Sequence, residues 1–153
     1  MREILTRKVL FAFIVLTGAW ACSISTAKLS EIKTGKDKEI TQPTSTFKAG
    51  DTIYANAAVT NNPAKVTVRM YISVDDAPGM TQGSTIPNSE VSMDLDHDGT
   101  VRYNFPTSVT TKGGKFMIVA NMIDENGQKK DTKSTSVTVE ADSSESPDTN
   151  STD

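Results

Sequence analysis

The clearest pattern in the chain is a strict alternation of apolar and polar residues between positions 66 and 74. The apolar members are Val66, Val68, Met70, Ile72 and Val74, and the residues between them are Thr67, Arg69, Tyr71 and Ser73. Successive side chains of a strand point to opposite faces, so a period of two predicts a half-buried β-strand. A helix with 3.6 residues per turn would scatter the same apolar side chains around its axis.

Shorter runs of the same alternation recur along the chain. They cover residues 53–59, 91–95, 101–105 and 137–139. Residues 115–123 are apolar at both parities, which is typical of a central strand covered on both faces. Turn-forming residues separate these runs, and Asn126-Gly127 is a strong hairpin signal. The pattern predicts an all-β fold, an antiparallel β-sandwich of about seven strands.

The segment 75–90, "DDAPGMTQGSTIPNSE", predicts a long loop rich in Gly, Pro, Ser and Thr. It has room for a short edge strand around Thr85 and Ile86. Loops carried on a rigid scaffold often hold binding residues, so this loop is the best candidate surface for a partner. Gly79, Met80 and Ile86 are its flexible or apolar points. A purely solubilising surface loop is an equally good interpretation of the same residues.

The N-terminus indicates export. Residues 1–8 are basic, and residues 9–21, "VLFAFIVLTGAWA", form an apolar run of 13 residues. A membrane-spanning helix needs about 20 such residues, so the run predicts a cleaved secretory signal rather than a transmembrane helix.

The apolar run ends in "GAWAC", and Cys22 is the only cysteine of the chain. A single cysteine directly after a signal resembles the lipobox of bacterial lipoproteins, although Trp20 is bulkier than that family usually has. The resemblance implies cleavage before Cys22 and an acyl anchor on its sulfur. Ordinary cleavage after "AWA", or after "STA" at Ala27, would instead give a soluble exported protein.

These observations divide the chain into four parts. Residues 1–21 are the predicted signal peptide, residues 22–46 a lipid tether with an irregular first strand, residues 47–140 the sandwich, and residues 141–153 a disordered acidic tail. The spacing of three between Leu29 and Ile32 does not match a strand's period of two, hence the irregular assignment within residues 22–46.

Three stretches of the sandwich resemble an immunoglobulin-like module of bacterial secreted proteins. They are "STFKAGDTIYANAAVTN", "VTVRMYISVDD" and "GGKFMIVANMIDENG". The resemblance covers residues 28–140. It implies the sandwich fold and an extracytoplasmic setting, and it carries no catalytic residues.

Little in the sequence indicates catalysis or nucleic-acid binding. His97 is the only histidine and lies in an acidic turn, where a triad base would be poorly oriented. The formal net charge is -3 and no basic patch is visible, which excludes nucleic acid as an expected partner. We therefore expect no enzymatic activity.

The segment "DLDHDGTV" is the one candidate metal site. Asp94, Asp96 and Asp98 match the first three ligands of an EF-hand loop, and a glycine follows at the sixth position. Phe105 stands where the bidentate glutamate is required, so a complete EF-hand is excluded. A plain β-hairpin explains more residues. In it the alternate residues Val91, Met93, Leu95, Val101, Tyr103 and Phe105 point inward, while Asp94 points outward. A weakly bound Ca²⁺ on the three aspartates remains the alternative, and no other cofactor is expected.

Together these features predict a non-catalytic, exported cell-envelope protein held on a membrane by a lipid on Cys22. It would act as a binding or structural β-sandwich module toward an unknown envelope protein or glycan. The alternative is a calcium-stabilised adhesion-type module that uses the abbreviated aspartate loop.

Overall fold

The computed structural model describes residues 26–110 and 112–141, whose regular secondary structure is almost entirely β-strand. The strands are β1 (Lys28–Leu29), β2 (Lys33–Gly35), β3 (Thr46–Lys48), β4 (Thr52–Thr60), β5 (Val66–Asp76), β6 (Val91–Leu95), β7 (Gly99–Pro106), β8 (Gly114–Asp124) and β9 (Lys129–Glu140). A short 3₁₀ turn, Thr107–Thr110, follows β7. The all-β prediction is confirmed. The predicted signal peptide, Cys22 and nearly all of the acidic tail lie outside the described residues.

Within those residues, no helix is long and apolar enough to cross a membrane.

The larger sheet has the strand order β3-β9-β8-β5-β6. Its neighbours run antiparallel, except that β3 runs parallel to β9. The predicted Asn126-Gly127 hairpin joins β8 to β9. Gly127 has the positive φ of 76° that such a turn requires, and the Asp124 carboxylate accepts backbone hydrogen bonds from Asn126 and Gln128 at 2.9 Å each. The turn therefore starts the β8–β9 ladder, whose register shifts once between Ile123 and Met122.

The smaller sheet is built around β4. On one side β4 pairs with β7 from Thr52↔Pro106 to Val59↔Gly99, and on the other side it pairs with β1 and then β2. Leu29 is 4% exposed, so the short first strands belong to the folded domain. The folded domain thus includes residues well before the predicted boundary at residue 47.

The inward rows of the two sheets form one apolar core. Alternate residues of β4, β5 and β7 are buried, which is the pattern that the alternation predicts. β8 was expected to be covered on both faces, but only one of its faces is buried and the other is partly exposed. The side chains of Val68, Met70 and Ile118 are 0% exposed. Full burial of such a side chain contributes about 1.5–3 kcal/mol. This packing of sheet on sheet holds the loops and edges described below.

The predicted hairpin between residues 91–95 and 101–105 is wrong. β6 pairs with β5 in the larger sheet, whereas β7 pairs with β4 in the smaller one, so residues 96–98 cross from one sheet to the other. Alternation specifies which face a side chain takes but not which strand lies beside it. The alternation of β6 and β7 is therefore equally compatible with two strands that lie in different sheets.

Asn62 holds this crossover in place. Its side-chain amide donates to the carbonyl oxygens of Leu95 at 3.2 Å and His97 at 3.1 Å, and its backbone N–H donates to the Asp98 carboxylate at 2.7 Å. Asn62 is only 7% exposed. One buried asparagine thus fastens the end of β6, the corner and the start of β7.

Replacing Asn62 with alanine is expected to lower the free energy of unfolding by about 1–3 kcal/mol. The change removes both amide donors and leaves the two carbonyl oxygens without them in a partly buried corner. Urea titration followed by circular dichroism measures the loss. Asn104→Ala, at an exposed outward position of β7, is the matched control and should change stability by less than about 0.5 kcal/mol. Equal effects of the two variants would contradict the role of Asn62.

Candidate functional site

The surface loop was predicted at residues 75–90, but β5 extends through Asp76, so the loop covers residues 77–90. It lies along the edge of β5 and leads into β6. Three backbone hydrogen bonds fasten it. Val74 N–H donates to the Ser84 oxygen and Gly83 N–H to the Val74 oxygen, both at 2.8 Å, and Ile86 N–H donates to the Ile72 oxygen at 2.9 Å. The predicted edge strand reduces to a single bridge between Ser73 and Thr85. We call the loop together with β6, residues 77–95, the loop–edge surface.

A buried polar contact ties the end of the loop to the smaller sheet. The Tyr103 hydroxyl of β7 donates to the Ser89 carbonyl oxygen at 2.8 Å, and Ile72 N–H donates to the Ser89 hydroxyl at 3.1 Å. Ser89 is 1% exposed and Tyr103 2% exposed. Burial raises the pKa of Tyr103 well above its usual range, so its hydroxyl stays protonated and available as a donor. These hydrogen bonds hold the end of the loop against both β5 and β7.

The exposed large apolar side chains of the described residues all belong to residues 77–95. Among the large hydrophobic residues that the structure describes, Met80, Val91 and Met93 are the ones substantially exposed, at 39%, 41% and 36%. Isolated exposed hydrophobic side chains are ordinary, but a local concentration of them is typical of an interaction surface. Met80, which the sequence singled out, belongs to this group, whereas Ile86 is buried beneath it at 5% exposure.

The exposure of β6 follows from the unequal widths of the two sheets. Val91 lies opposite Met70 and Met93 opposite Val68, so both share the inner face of the sheet as predicted. Their partners on β5 are fully buried, whereas the side chains of β6 are not. Within the described residues β7 is the last strand of the smaller sheet, and nothing beyond it covers β6.

A groove opens inside the loop beside this edge. Its volume is about 420 Å³, and Val74, Met80, Thr81, Ser84, Ile86 and Pro87 contribute to its lining. That volume falls within the range of small-ligand sites, about 300–1,000 Å³. The lining mixes apolar side chains with hydroxyl groups and includes no charged residue.

Carboxylates surround the apolar edge. Residues 75–98 carry six Asp or Glu side chains and no Lys or Arg. Two bases of the β5 region partly offset them: Lys65 Nζ lies 2.7 Å from the Asp94 carboxylate, and Arg69 Nε lies 3.2 Å from that of Glu90. The Lys65 ammonium and the Thr67 hydroxyl hold the pKa of Asp94 below its usual range. Both carboxylates stay about half exposed, so the surface keeps a negative balance.

The three aspartates of the predicted calcium site do not meet. Asp94 binds Lys65 and the Thr67 hydroxyl, whereas Asp98 accepts the Asn62 N–H. In the part of the chain that the structure describes, no group of three His, Cys, Asp or Glu side chains is placed to hold a metal ion. His97 contributes its carbonyl oxygen to the Asn62 contact. Calcium binding by Asp94, Asp96 and Asp98 stays a prediction that the geometry does not favour.

The sequence located the loop but missed the exposed edge beside it. Residues 91–95 carry the same alternation as the buried strands, so they were expected to be buried. No local signal distinguishes a covered inner face from an uncovered one. The acidic composition of residues 75–98 was visible in the sequence and marks the flank of this edge.

Comparison with known proteins adds a fold likeness. No family model and no curated protein matches the chain. Among solved structures, a β-glucosidase of Erythrobacter marinus aligns over 75% of this chain with 11% identity and a TM-score of 0.53. A Niemann-Pick type C2 protein of the Japanese carpenter ant aligns over 74% of this chain and 92% of its own, with 12% identity and a TM-score of 0.44. The chain spans 15% of the β-glucosidase, so that likeness concerns the fold of a small part of it and carries no activity.

Tyr103→Phe is expected to loosen residues 77–90 and to lower the free energy of unfolding by about 1 kcal/mol. The change removes the donor to Ser89 while keeping the buried ring. Amide hydrogen exchange should speed up in the loop more than in β8. Tyr71→Phe, on the outward face of β5, is the control and should leave exchange in the loop unchanged. Unaltered loop exchange in Tyr103→Phe would show that the hydrogen bond from Tyr103 to Ser89 does not hold the loop.

Proposed function

We propose that this protein is a non-catalytic, exported cell-envelope protein, anchored through a lipid on Cys22, that binds an envelope partner through its loop–edge surface. The observation that carries the binding role is the exposure of Met80, Val91 and Met93, which all belong to residues 77–95 while the sandwich core is well buried. A scaffold that presents a loop and a strand edge is a common form of binding module.

The strand arrangement supports an immunoglobulin-like assignment for the sandwich. A four-stranded sheet, in which β1 and β2 both pair with β4, packs on a five-stranded one. Consecutive strands repeatedly change sheets, as from β4 to β5 and from β6 to β7. The parallel pairing of a short early strand with the last strand, β3 with β9, fits the same family of sandwiches.

The chemistry of the surface favours a protein partner over a glycan. Sugar-binding surfaces need polar groups aimed at hydroxyls, whereas the exposed points here are two methionines and a valine. Methionine side chains adapt to irregular partner surfaces because they are unbranched and polarizable. The alternative of a calcium-stabilised adhesion module depends on Asp94, Asp96 and Asp98, which the structure does not bring together.

Binding is tested with a surface variant in the native envelope. Met80→Ser, Val91→Ser and Met93→Ser together remove the exposed apolar groups without emptying the core, so the fold should persist by circular dichroism. Chemical cross-linking with quantitative mass spectrometry compares the partners captured by this variant and the parent. We expect at least a tenfold loss of the specific cross-linked partner, with Ser134→Ala plus Ser136→Ala, on the exposed row of β9, as the matched control. Equal capture by all three proteins would contradict a binding role for the surface.

The anchor is tested separately at Cys22. In a bacterial host, Cys22→Ser should move the protein from the membrane fraction to the soluble exported fraction. Acylation holds a protein on a bilayer by about 0.8 kcal/mol per buried methylene, and a serine at this position accepts no thioether-linked lipid. Intact mass of the parent should show acyl groups on an N-terminal cysteine. A soluble parent protein beginning at Lys28 would refute the anchor.

A further inference from the structure

We propose that the loop–edge surface binds its partner by β-strand addition, in which an extended cationic peptide pairs with the outer edge of β6. The inference rests on the proposed function and names the mode of binding and the chemistry of the partner. The added strand would place apolar side chains beside Val91, Met93 and Leu95, and basic side chains beside Glu90 and Asp94.

The first step of the argument is that β6 has an open edge. In the described part of the chain β6 is the last strand of the larger sheet and pairs only with β5. An edge strand presents backbone N–H and C=O groups that can pair with another chain. Proteins commonly guard such edges with lysine, proline or a bulge. The five residues of β6, "VSMDL", contain neither lysine nor proline, and their pairing with β5 runs without a register shift.

The second step is that the neighbouring edge of the same sheet is already covered. Beyond β6, the side of β5 is occupied by the loop, which bonds to Ile72 and Val74 through residues 83–86. The open stretch is therefore confined to β6 and its immediate flanks. About five residues of a partner would be ordered on pairing, a length of about 17 Å.

The third step concerns the apolar row. Val91 and Met93 face the core side of the sheet, yet they are 41% and 36% exposed because the smaller sheet ends at β7. A strand paired to β6 would bring side chains of its own beside them on that face. Cross-strand apolar pairs are the unit by which a sheet is stabilised, so the added strand should be apolar at alternate positions.

The fourth step is the charge of the opposite face. Asp94 and Glu90 are about half exposed on the side where they meet Lys65 and Arg69. Residues 90–98 hold four carboxylates and no base, so Lys65 and Arg69 leave a negative balance of about two charges beside β6. Opposite charges placed across a strand pair stabilise it and like charges destabilise it. The partner's outward side chains should therefore be Lys or Arg.

The same charges argue against a second copy of this chain as the occupant. Two β6 strands paired antiparallel about Met93 would set Glu90 of one copy opposite Asp96 of the other, on both sides of the axis. They would also bring two acidic stretches of residues 75–98 together. Like charges directly opposite are destabilising, so the edge is selective against itself while it stays open to a cationic strand.

The test uses the full chain, labelled with ¹⁵N, and synthetic peptides of about seven residues that alternate lysine and valine. We expect binding that weakens as salt is raised, together with at least tenfold slower hydrogen exchange of β6 amides in the complex. A peptide that alternates glutamate and valine, and a lysine–valine peptide with proline at its centre, should each bind at least tenfold more weakly.

Two matched lysine variants test whether the peptide binds at β6. Met93→Lys puts a guarding cation on the edge and should weaken binding of the lysine–valine peptide at least tenfold. Ser134→Lys also adds a single lysine, on the exposed row of β9 away from the loop–edge surface, and its affinity should stay within about twofold of the parent. Both positions are exposed in the parent, so each variant should fold; their thermal melts verify this.

Several results would overturn the inference. They are protection of β7 amides instead of β6, equal binding of the acidic peptide, equal effects of the two lysine variants, and β6 protection that rises with protein concentration in the absence of peptide. The last result would identify a second copy as the occupant. Partner capture in the envelope that persists without β6 protection would reject strand addition while leaving the proposed binding function standing.

Discussion

Face-to-face burial of the inward rows of β4, β5 and β8 is the interaction on which the rest of the structure depends. Ala55, Met70 and Ala120 are fully buried within one continuous apolar cluster. No described polar network is large enough to replace it. Most of the ion pairs are largely exposed, and exposed pairs contribute about 1 kcal/mol or less each. The hydrogen bonds of Asn62, Ser89 and Tyr103 therefore direct the chain around a core that hydrophobic burial stabilises.

The alternation of the sequence predicted most of this core because it reports side-chain direction. β4, β5 and β7 bury the residues expected of them, and the Asn126-Gly127 hairpin lies where its turn chemistry places it. Direction is a local property, since each residue follows the pleat of its own strand. A single sequence is therefore sufficient to predict it.

Which strand pairs with which is not a local property, and the predicted hairpin between residues 91–95 and 101–105 was wrong for that reason. The segment around Asp98-Gly99 fits a tight turn as well as a corner between sheets. What selects the corner is Asn62, distant in sequence, whose amide reaches the carbonyl oxygens of Leu95 and His97. The short strands β1 and β2 were predicted only as one irregular first strand within residues 22–46, for a related reason. Two or three residues show no period, and only their pairing with β4 makes them strands.

The candidate surface arises from the same crossover. Because the chain leaves the larger sheet after β6 and enters the smaller sheet as β7, no described residue extends the smaller sheet far enough to cover β6. Val91 and Met93 keep the pattern of core residues but lose the opposing layer. Their exposure is thus built into the topology and does not depend on a mobile loop.

An uncovered apolar edge ordinarily invites self-association, and the composition of residues 75–98 bears on that hazard. Carboxylates repel a second copy, while Lys65 and Arg69 hold Asp94 and Glu90 beside the strand without neutralising the stretch. A lysine within β6 would guard the edge against every partner. Acidic residues guard it only against acidic ones. The edge therefore combines backbone groups open to pairing, an apolar row that gains by being covered, and a charge that restricts which strands can cover it.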